Sequence, residues 1–159
     1  MSEPDLHPAL AALQPLLGTW RGEGAGEYPT IESFVYVEEI SIAPGPGKPF
    51  LVYGQRTRHR DDGRPLHAET GYWRAVGDDR IEVVLSHPTG IVERLDGSWD
   101  GRVAELVDDD VASTPTAVTV TRTARRFELD GDTLRYTVAM AAVGHELTHH
   151  LRAELHRAP

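Results

Sequence analysis

The sequence AVTVTRTARRFELDGDTLRYTVAMAAV, residues 117–143, decides the fold. Two runs rich in Val, Thr and aromatic residues flank Asp130-Gly131-Asp132, a combination typical of a tight turn between antiparallel strands. In the second run the apolar residues fall at every other position from Leu134 to Met140, which is the period of a strand with one buried face. In the first run Val120 and Arg122 share a predicted face, so the alternation is less clean there. The stretch predicts a β-hairpin.

The same pattern continues along most of the chain. Turn sequences rich in Gly, Pro and Asp divide it into ten predicted strands: Thr19–Tyr28, Phe34–Ile42, Phe50–His59, His67–Val76, Arg80–Ser86, Ile91–Leu95, Arg102–Leu106, Ala117–Leu129, Thr133–Val143 and Leu147–His156. The segment Pro8–Leu17 is the predicted helix, because Leu10, Leu13 and Leu17 follow helical spacing, and Pro15 is expected to kink or end it. The sequence therefore predicts an all-β fold, a closed ten-stranded antiparallel up-and-down β-barrel with a short N-terminal helix and an internal cavity.

Length, charge and composition narrow the class of protein. A chain of 159 residues has the size of one ordinary domain, and we expect residues 1–159 to form a single domain. The net charge of -9 argues against nucleic acid and anionic membranes as partners. The absence of cysteine excludes disulfides, thiolate metal sites and cysteine nucleophiles. Because the sequence shows neither a signal-peptide pattern nor a long apolar run, we expect a cytoplasmic protein.

Three glycines and a tryptophan lie close together in the first predicted strand, in Gly18-Thr19-Trp20-Arg21-Gly22-Glu23-Gly24. Glycine weakens a strand unless the backbone packs closely or bends there. The side chain of Trp20 is large enough to cover one end of a barrel. We interpret the motif as a structural closure without a catalytic role.

Histidines are the candidate metal ligands in a chain that has eight of them and no cysteine. The segment His145-Glu146-Leu147-Thr148-His149 matches the H-E-x-x-H pattern, which binds zinc when it lies on a helix. However, Gly144 opens the segment as a turn would, and few residues follow that could supply a third ligand. A zinc hydrolase is therefore an alternative rather than the favoured function.

Six stretches, in order along nearly the whole chain, resemble the nitrobindin family. They are Gly18-x-Trp20-x-Gly22-x-Gly24, Gly26-x-Tyr28-Pro29-Thr30, FVYVEE at 34–39, PLHAETGY at 65–72, HPTGIVE at 87–93, and MAAVG at 140–144 followed by LTHHL at 147–151. The resemblance implies a ten-stranded barrel, related in shape to fatty-acid-binding proteins, that holds one haem b per chain through a single histidine. It also implies binding of nitric oxide and conversion of peroxynitrite to nitrate by ferric haem.

The resemblance also assigns individual residues. The iron ligand of the family is the histidine directly before a leucine near the C-terminus, which is His150 here, and we take it as both the metal ligand and the catalytic residue. Leu66 and His67 correspond to a loop that overhangs the distal side of the haem. Thr30 and Met140 correspond to residues of the haem pocket.

Strand alternation alone favours the other histidine of the pair. Adjacent residues of a strand point to opposite faces, so at most one of the two is expected to face the cavity. His149 shares its phase with Leu151 and Leu155, which form an apolar face. His150 shares its phase with Met140 only if the intervening turn inserts no net residue. We follow the resemblance and choose His150.

The resemblance therefore implies a haem-dependent peroxynitrite isomerase that acts on the small molecules peroxynitrite and nitric oxide, as a monomer or a homodimer. The net charge predicts no nucleic-acid or membrane partner. Many relatives carry a lysine near the haem edge that is missing from Ser113–Val118, so a propionate contact is expected from Arg122, Arg125, Arg126 or water. Besides the zinc hydrolase, two alternatives stay open. One is a carrier of an apolar ligand without haem, as in lipocalins and fatty-acid-binding proteins, and the other is a nitric-oxide sensor that signals to a partner.

Overall fold

The computed structural model describes residues 5–159 of the chain. A 3-10 helix and eleven strands succeed one another: the helix Pro8–Leu16, β1 Gly18–Tyr28, β2 Ile31–Pro44, β3 Leu51–His59, β4 Pro65–Ala75, β5 Arg80–Ser86, β6 Ile91–Trp99, β7 Val103–Asp108, β8 Ala112–Ser113, β9 Val120–Asp130, β10 Thr133–Ala142 and β11 Thr148–Arg157. All ten predicted strands are present. The two-residue strand β8 was not predicted.

Ten of these strands close into a barrel in which every neighbouring pair is antiparallel. The order runs β5-β4-β3-β2-β1-β11-β10-β9-β7-β6, and pairing of β5 with β6 closes the ring. The extra strand β8 pairs only with β6, through Ile91 with Ser113 and Val92 with Ala112. Consecutive strands of the ring are neighbours, so the predicted closed, ten-stranded, up-and-down barrel with a short N-terminal helix is confirmed.

The N-terminal helix closes one end of the barrel. It is a 3-10 helix, and with three residues per turn its buried side is formed by Leu10, Leu13 and Leu16 rather than by the predicted Leu17. Pro15 lies inside the helix and has no N–H, which leaves the carbonyl of Ala12 free of its helical partner. That carbonyl accepts a hydrogen bond of 2.7 Å from the indole N–H of Trp99.

Trp20 covers this closed end, as the closure motif predicts. Its ring is fully buried, and its indole N–H donates to the carbonyl of Leu16 at 3.0 Å. The Arg157 guanidinium stacks on the other side, 4.2 Å from the ring centre. Among residues 5–159, no helix is long and apolar enough to cross a membrane.

The predicted inward face of β9, with Val120 and Arg122 on the same side, is wrong because the strand contains a β-bulge. Ala141 pairs with Arg122, whereas the next residue Ala142 pairs with Val120, so Thr121 is an extra residue in the ladder. An extra residue reverses the phase of everything that follows it. Val120 is therefore buried and Arg122 exposed, and from there onwards the odd-numbered residues Thr123 to Leu129 face the interior.

Candidate functional site

The end of the barrel opposite the helix contains a cavity of about 540 Å³. This volume lies within the range of about 300–1,000 Å³ that is typical of small-molecule sites. One part of the wall is apolar and the other is polar. The apolar part includes Ile31, Phe34, Leu66, Ile91, Val120, Val138, Met140 and Leu151, and the polar part includes Gln55, His67, Glu69, His87, Glu93, Thr123, Arg125 and His150.

Two glycines of β1 make room for the aromatic part of this wall. A Cβ atom on Gly24 would lie 2.3 Å from the ring of Tyr36, and one on Gly26 would lie 2.2 Å from the ring of Phe34. Contacts this short are not possible for real side chains, so both aromatic rings depend on glycine in the neighbouring strand. The glycine-rich first strand therefore shapes the cavity as well as closing the barrel.

His150 lies at a bulge that decides which of the two adjacent histidines faces the cavity. Val138 of β10 pairs with Leu151, whereas the next residue Ala139 pairs with His149, so His150 is the extra residue of β11. The extra residue breaks simple alternation. His150 and Leu151 both line the cavity, while His149 is exposed and lies outside it, 3.9 Å from the carboxylate of Glu27.

One ring nitrogen of His150 is held by a hydrogen bond to the backbone, and the other is available to bind a metal. Its Nδ1 lies 3.0 Å from the carbonyl oxygen of Glu27. A carbonyl can only accept a hydrogen bond, so Nδ1 carries the proton and Nε2 keeps its lone pair. Burial lowers the pKa of His150, and the hydrogen bond to Glu27 only partly offsets this. The residue is therefore a neutral imidazole, the form that ligates metals.

Tyr28 fixes the backbone and the ring beside this histidine. Its ring meets that of His150 edge to face at a centroid distance of 5.6 Å. Its hydroxyl accepts from the N–H of Ala142 at 3.0 Å and donates to the carbonyl of Met140 at 3.1 Å. These two bonds tie the end of β1 to the end of β10, next to the bulge that carries His150.

Four of the five residues assigned by resemblance lie on the cavity wall, and one does not. Leu66, His67, Met140 and His150 all line the cavity. Thr30 lies in the exposed turn between β1 and β2 and does not line the cavity, whereas the next residue, Ile31, does. The structure thus brings together the proposed ligand and the residues predicted for the pocket, apart from the threonine.

The polar part of the wall contains an ion-pair network that the sequence analysis missed. Arg125 donates to both oxygens of Glu69, at 2.7 and 3.0 Å, and its Nε donates to Glu93 at 3.1 Å. Burial alone would raise the pKa of each glutamate, but the adjacent Arg125 charge outweighs it, so the pKa of Glu69 is well below its usual range and that of Glu93 is about 2. All three side chains are buried and charged.

A second polar group lies behind this network. Glu38 accepts hydrogen bonds from Gln55 and from the Tyr136 hydroxyl, the latter at 2.8 Å, and Tyr136 also shares a 2.7 Å bond with the Tyr36 hydroxyl. Burial raises the pKa of Glu38 to about 7, although these hydrogen bonds oppose the shift. Within residues 5–159, Thr123 Oγ1 and one oxygen each of Glu38 and Gln55 are buried without a hydrogen-bond partner.

The three arginines considered for contact with the haem propionates all lie next to carboxylates. Arg125 is buried in the network just described. On the outer surface, Arg122 pairs with Asp109 at 2.6 Å and Arg126 lies 3.8 Å from Glu105. Within residues 5–159, Arg125 lines the cavity and is paired with both Glu69 and Glu93, and the contact to the haem propionates stays a prediction.

The H-E-x-x-H segment does not form the helix that zinc binding would need. His145 lies in the turn after β10, and His149 lies on β11. Two histidines four residues apart share a face on a helix but not across a turn and a strand. The structure therefore does not support the zinc hydrolase that this motif suggests.

The residues present fit a haem. The cavity offers apolar walls for a large flat ring, one neutral imidazole with a free Nε2, and an opening toward solvent beside the exposed Leu66. A single imidazole with an apolar pocket is the arrangement that holds b-type haem in other folds. Fold and site together define a small β-barrel with a ligand-sized cavity and a neutral histidine, His150, on its wall.

Comparison with known proteins places the chain in a family. Residues 9–157 match the model of the THAP4-like, heme-binding beta-barrel domain, and the chain belongs to this nitrobindin family. A protein of Nocardia farcinica named peroxynitrite isomerase is 54% identical over 156 residues, which cover 96% of this chain and 92% of that protein. Peroxynitrite isomerase 2 of Mycobacterium avium is 53% identical over 157 residues, with coverage of 96% and 97%.

A solved structure is also similar over the full length. The crystal structure of Rv2717c from M. tuberculosis has a TM-score of 0.91 and 49% identity, and the match covers 98% of this chain and 100% of that one. The sequence resemblance to the nitrobindin family is confirmed.

Proposed function

We propose that this protein is a haem b-dependent peroxynitrite isomerase, which converts peroxynitrite to nitrate, with one haem per chain and His150 as the iron ligand. The observation that carries the proposal is the bulge at His150, which turns a neutral imidazole toward an apolar cavity and leaves its Nε2 free. Membership of a haem-binding family and relatives named peroxynitrite isomerase over nearly the full length support it.

The residues of the chain supply position and shielding. The carbonyl of Glu27 holds His150 in one tautomer, and Tyr28 limits the rotation of its ring. Leu66 and Met140 line the cavity with apolar surface that keeps water away from the ligand. When bound, ferric haem supplies Lewis-acid chemistry toward an oxygen of peroxynitrite, and the isomerisation needs no protein base.

His67 also lines the cavity, but the hydrogen on its Nε2 is already used in a hydrogen bond within the wall. Its Nε2 lies 2.9 Å from Nδ1 of His87, whose own Nε2 lies 2.6 Å from Glu93. Ionised Glu93 accepts a hydrogen bond from the Nε2–H of His87, so His87 Nδ1 has a lone pair and accepts a hydrogen bond from His67 Nε2. The Nε2–H of His67 therefore points to His87 and is not available to a bound ligand. We assign His67 a structural role, in which it positions the His87 ring at the edge of the cavity.

The proposal is tested by two single substitutions. We expect His150→Ala to abolish the ferric Soret absorbance and the isomerisation, because it removes the one side chain that bonds the iron, while far-UV circular dichroism still shows a folded barrel. His149→Ala is the matched control and keeps both, because that side chain lies outside the cavity. If the Soret absorbance is lost in His149→Ala and kept in His150→Ala, the iron ligand is His149 and the proposal is wrong. Rates are measured by stopped-flow decay of peroxynitrite, with nitrate quantified as product.

The same spectra test the alternative of an apolar-ligand carrier. A wild-type protein that shows no Soret band after addition of haem, but binds a fluorescent fatty acid, would support the carrier and contradict the isomerase. Binding of nitric oxide, which the family resemblance also implies, stays a prediction for the haem-loaded protein.

A further inference from the structure

A second set of metal-ligand atoms lies on the polar part of the cavity wall and does not include His150. Among residues 5–159, His67, Glu69 and His87 form a group whose ligand atoms all lie within 4.8 Å of one another. His67 and Glu69 are two positions apart on β4 and so point to the same side, and His87 directly follows the neighbouring strand β5. The barrel thus brings two imidazoles and one carboxylate to one point on the wall.

The distances between these atoms match the size of a transition-metal ion. His67 Nε2 lies 2.9 Å from His87 Nδ1 and 3.6 Å from Glu69 Oε2, and His87 Nδ1 lies 3.5 Å from the same oxygen. The centre of a triangle with these sides lies about 2 Å from each corner, which equals the usual Zn–N and Zn–O bond length of about 2.0–2.2 Å. No rearrangement of the backbone is needed to reach bonding distance.

Glu93 completes the arrangement from behind. Its carboxylate lies 2.6 Å from His87 Nε2, so that nitrogen carries the proton and the lone pair of Nδ1 faces the other two donors. A histidine that ligates a metal almost always donates its second N–H to a carboxylate or carbonyl in this way. The geometry fixes the tautomer that His87 needs as a ligand. In the metal-free wall His67 donates its Nε2–H to His87, so metal binding replaces that hydrogen bond and moves the His67 proton to Nδ1.

The charge of the wall also favours a cation. Glu69 and Glu93 share Arg125 as their ion-pair partner, so two carboxylates face one guanidinium within this buried group. A buried carboxylate without a full counter-charge is unfavourable. A divalent ion between the two imidazoles and Glu69 more than offsets the second carboxylate charge.

We propose that His67, Glu69 and His87 form a divalent transition-metal site, with Zn²⁺ as its simplest occupant and one coordination position open to the cavity. Two histidines and one carboxylate with an open position are the donor set of catalytic zinc and non-haem ferrous sites. The site uses none of the residues of the H-E-x-x-H motif and does not include His150. It goes beyond the proposed isomerase function and does not depend on haem.

The test is calorimetric titration of the full, haem-free chain with ZnCl₂. We expect one Zn²⁺ per chain, with a binding constant that His87→Ala weakens by at least about 100-fold, because one of three protein ligands is lost. Glu93→Gln is expected to weaken it by about 10- to 100-fold, since it removes the carboxylate charge behind His87, which Arg125 also contacts, but no metal ligand. Titration with CoCl₂ in place of ZnCl₂ should give the visible absorption bands of a four- or five-coordinate Co²⁺ ion.

His149→Ala is the matched control, because His149 is an exposed histidine that could bind zinc adventitiously. Unchanged affinity in this variant supports the site. Zinc binding that survives His67→Ala and His87→Ala, or that disappears in His149→Ala, would overturn it, and so would the absence of binding by the wild-type chain. His67→Ala guards against misfolding because that side chain is one-third exposed. Haem titration of the same variants separates failure of this site from failure of the proposed function.

Discussion

The hydroxyl of Tyr28 holds together the part of the barrel that carries His150. Replacing Tyr28 by Phe keeps the ring against His150 but leaves the buried N–H of Ala142 without its acceptor at 3.0 Å. An unsatisfied buried donor costs about 1–3 kcal/mol. We expect Tyr28→Phe to lower the free energy of unfolding by that amount in urea titrations and to weaken haem binding.

Tyr72→Phe is the control, because Tyr72 is about half exposed on the outside of β4. We expect a change below about 0.5 kcal/mol there, as is usual for exposed positions. Equal effects of the two substitutions would show that the Tyr28 hydroxyl has no special part in the site.

At the level of residues, the site was only partly predictable. Leu66, His67, Met140 and His150 were assigned by resemblance and line the cavity. Glu69 and Glu93 were not singled out, and Arg125 was considered only as one of several propionate contacts. A signal for Glu93 was available, since it lies in phase with the apolar Ile91 and Leu95 of a predicted strand. The phase of Arg125 could not be known, because the bulge at Thr121 reverses it.

At the level of elements, the bulge in β11 predicts the effect of a deletion. A substitution cannot test the bulge because it does not change the number of residues in the strand. Deletion of His149 should convert β10 and β11 into a regular ladder, in which His150 takes the place opposite Ala139 and points away from the cavity. We therefore expect the deletion to abolish the Soret band although His150 is still present. The absorption spectrum after haem addition checks this result.

His149→Ala, which keeps the number of residues and therefore the bulge, is the comparison for this deletion. A deletion variant that still binds haem with wild-type affinity would mean that the bulge does not orient the ligand. Circular dichroism of both proteins verifies that the barrel has formed.

The elements themselves were well predicted, and their irregularities were not. Turn sequences and alternation located all ten strands of the ring, because both are local properties of the chain. The bulges of β9 and β11 depend on the register of each strand against β10, which the residue pattern of a single strand does not define. The helix was placed correctly, but its type was set by its packing over the barrel end, so Leu16 rather than Leu17 is the buried residue.

For the whole molecule, the buried carboxyl groups predict how stability depends on pH. The pKa of Glu38 is raised from 4.5 to about 7, so between these values the folded state keeps a proton that the unfolded state has lost. Stability from this group is therefore fully present below pH 4.5 and decreases as the pH rises to 7, by up to about 3 kcal/mol. Glu93 acts in the opposite sense, and its contribution is lost as the pH falls from 4.5 to 2.

We expect Glu38→Gln to remove most of the decrease between pH 4.5 and 7, because the amide resembles the protonated acid and does not titrate. Urea unfolding at several pH values measures the difference between this variant and the wild type. Glu105→Gln, at an exposed position of β7, should leave the pH dependence unchanged. A Glu38→Gln protein with the slope of the wild type would show that Glu38 ionises normally in the folded barrel.

The pairing of β1 with β11 has a consequence for biosynthesis. Glu27 and His150 are 123 positions apart in the chain, and the strands that carry them are the first and the last of the barrel. While the ribosome is still making the intervening residues, the earlier strands have no partner with which to close the ring. The cavity and its oriented imidazole therefore come into existence only after β11 has left the exit tunnel. Capture of haem through His150, as proposed above, must therefore wait until β11 has emerged, and a nascent chain that stalls before β11 exposes an open sheet to the quality-control machinery of the cell.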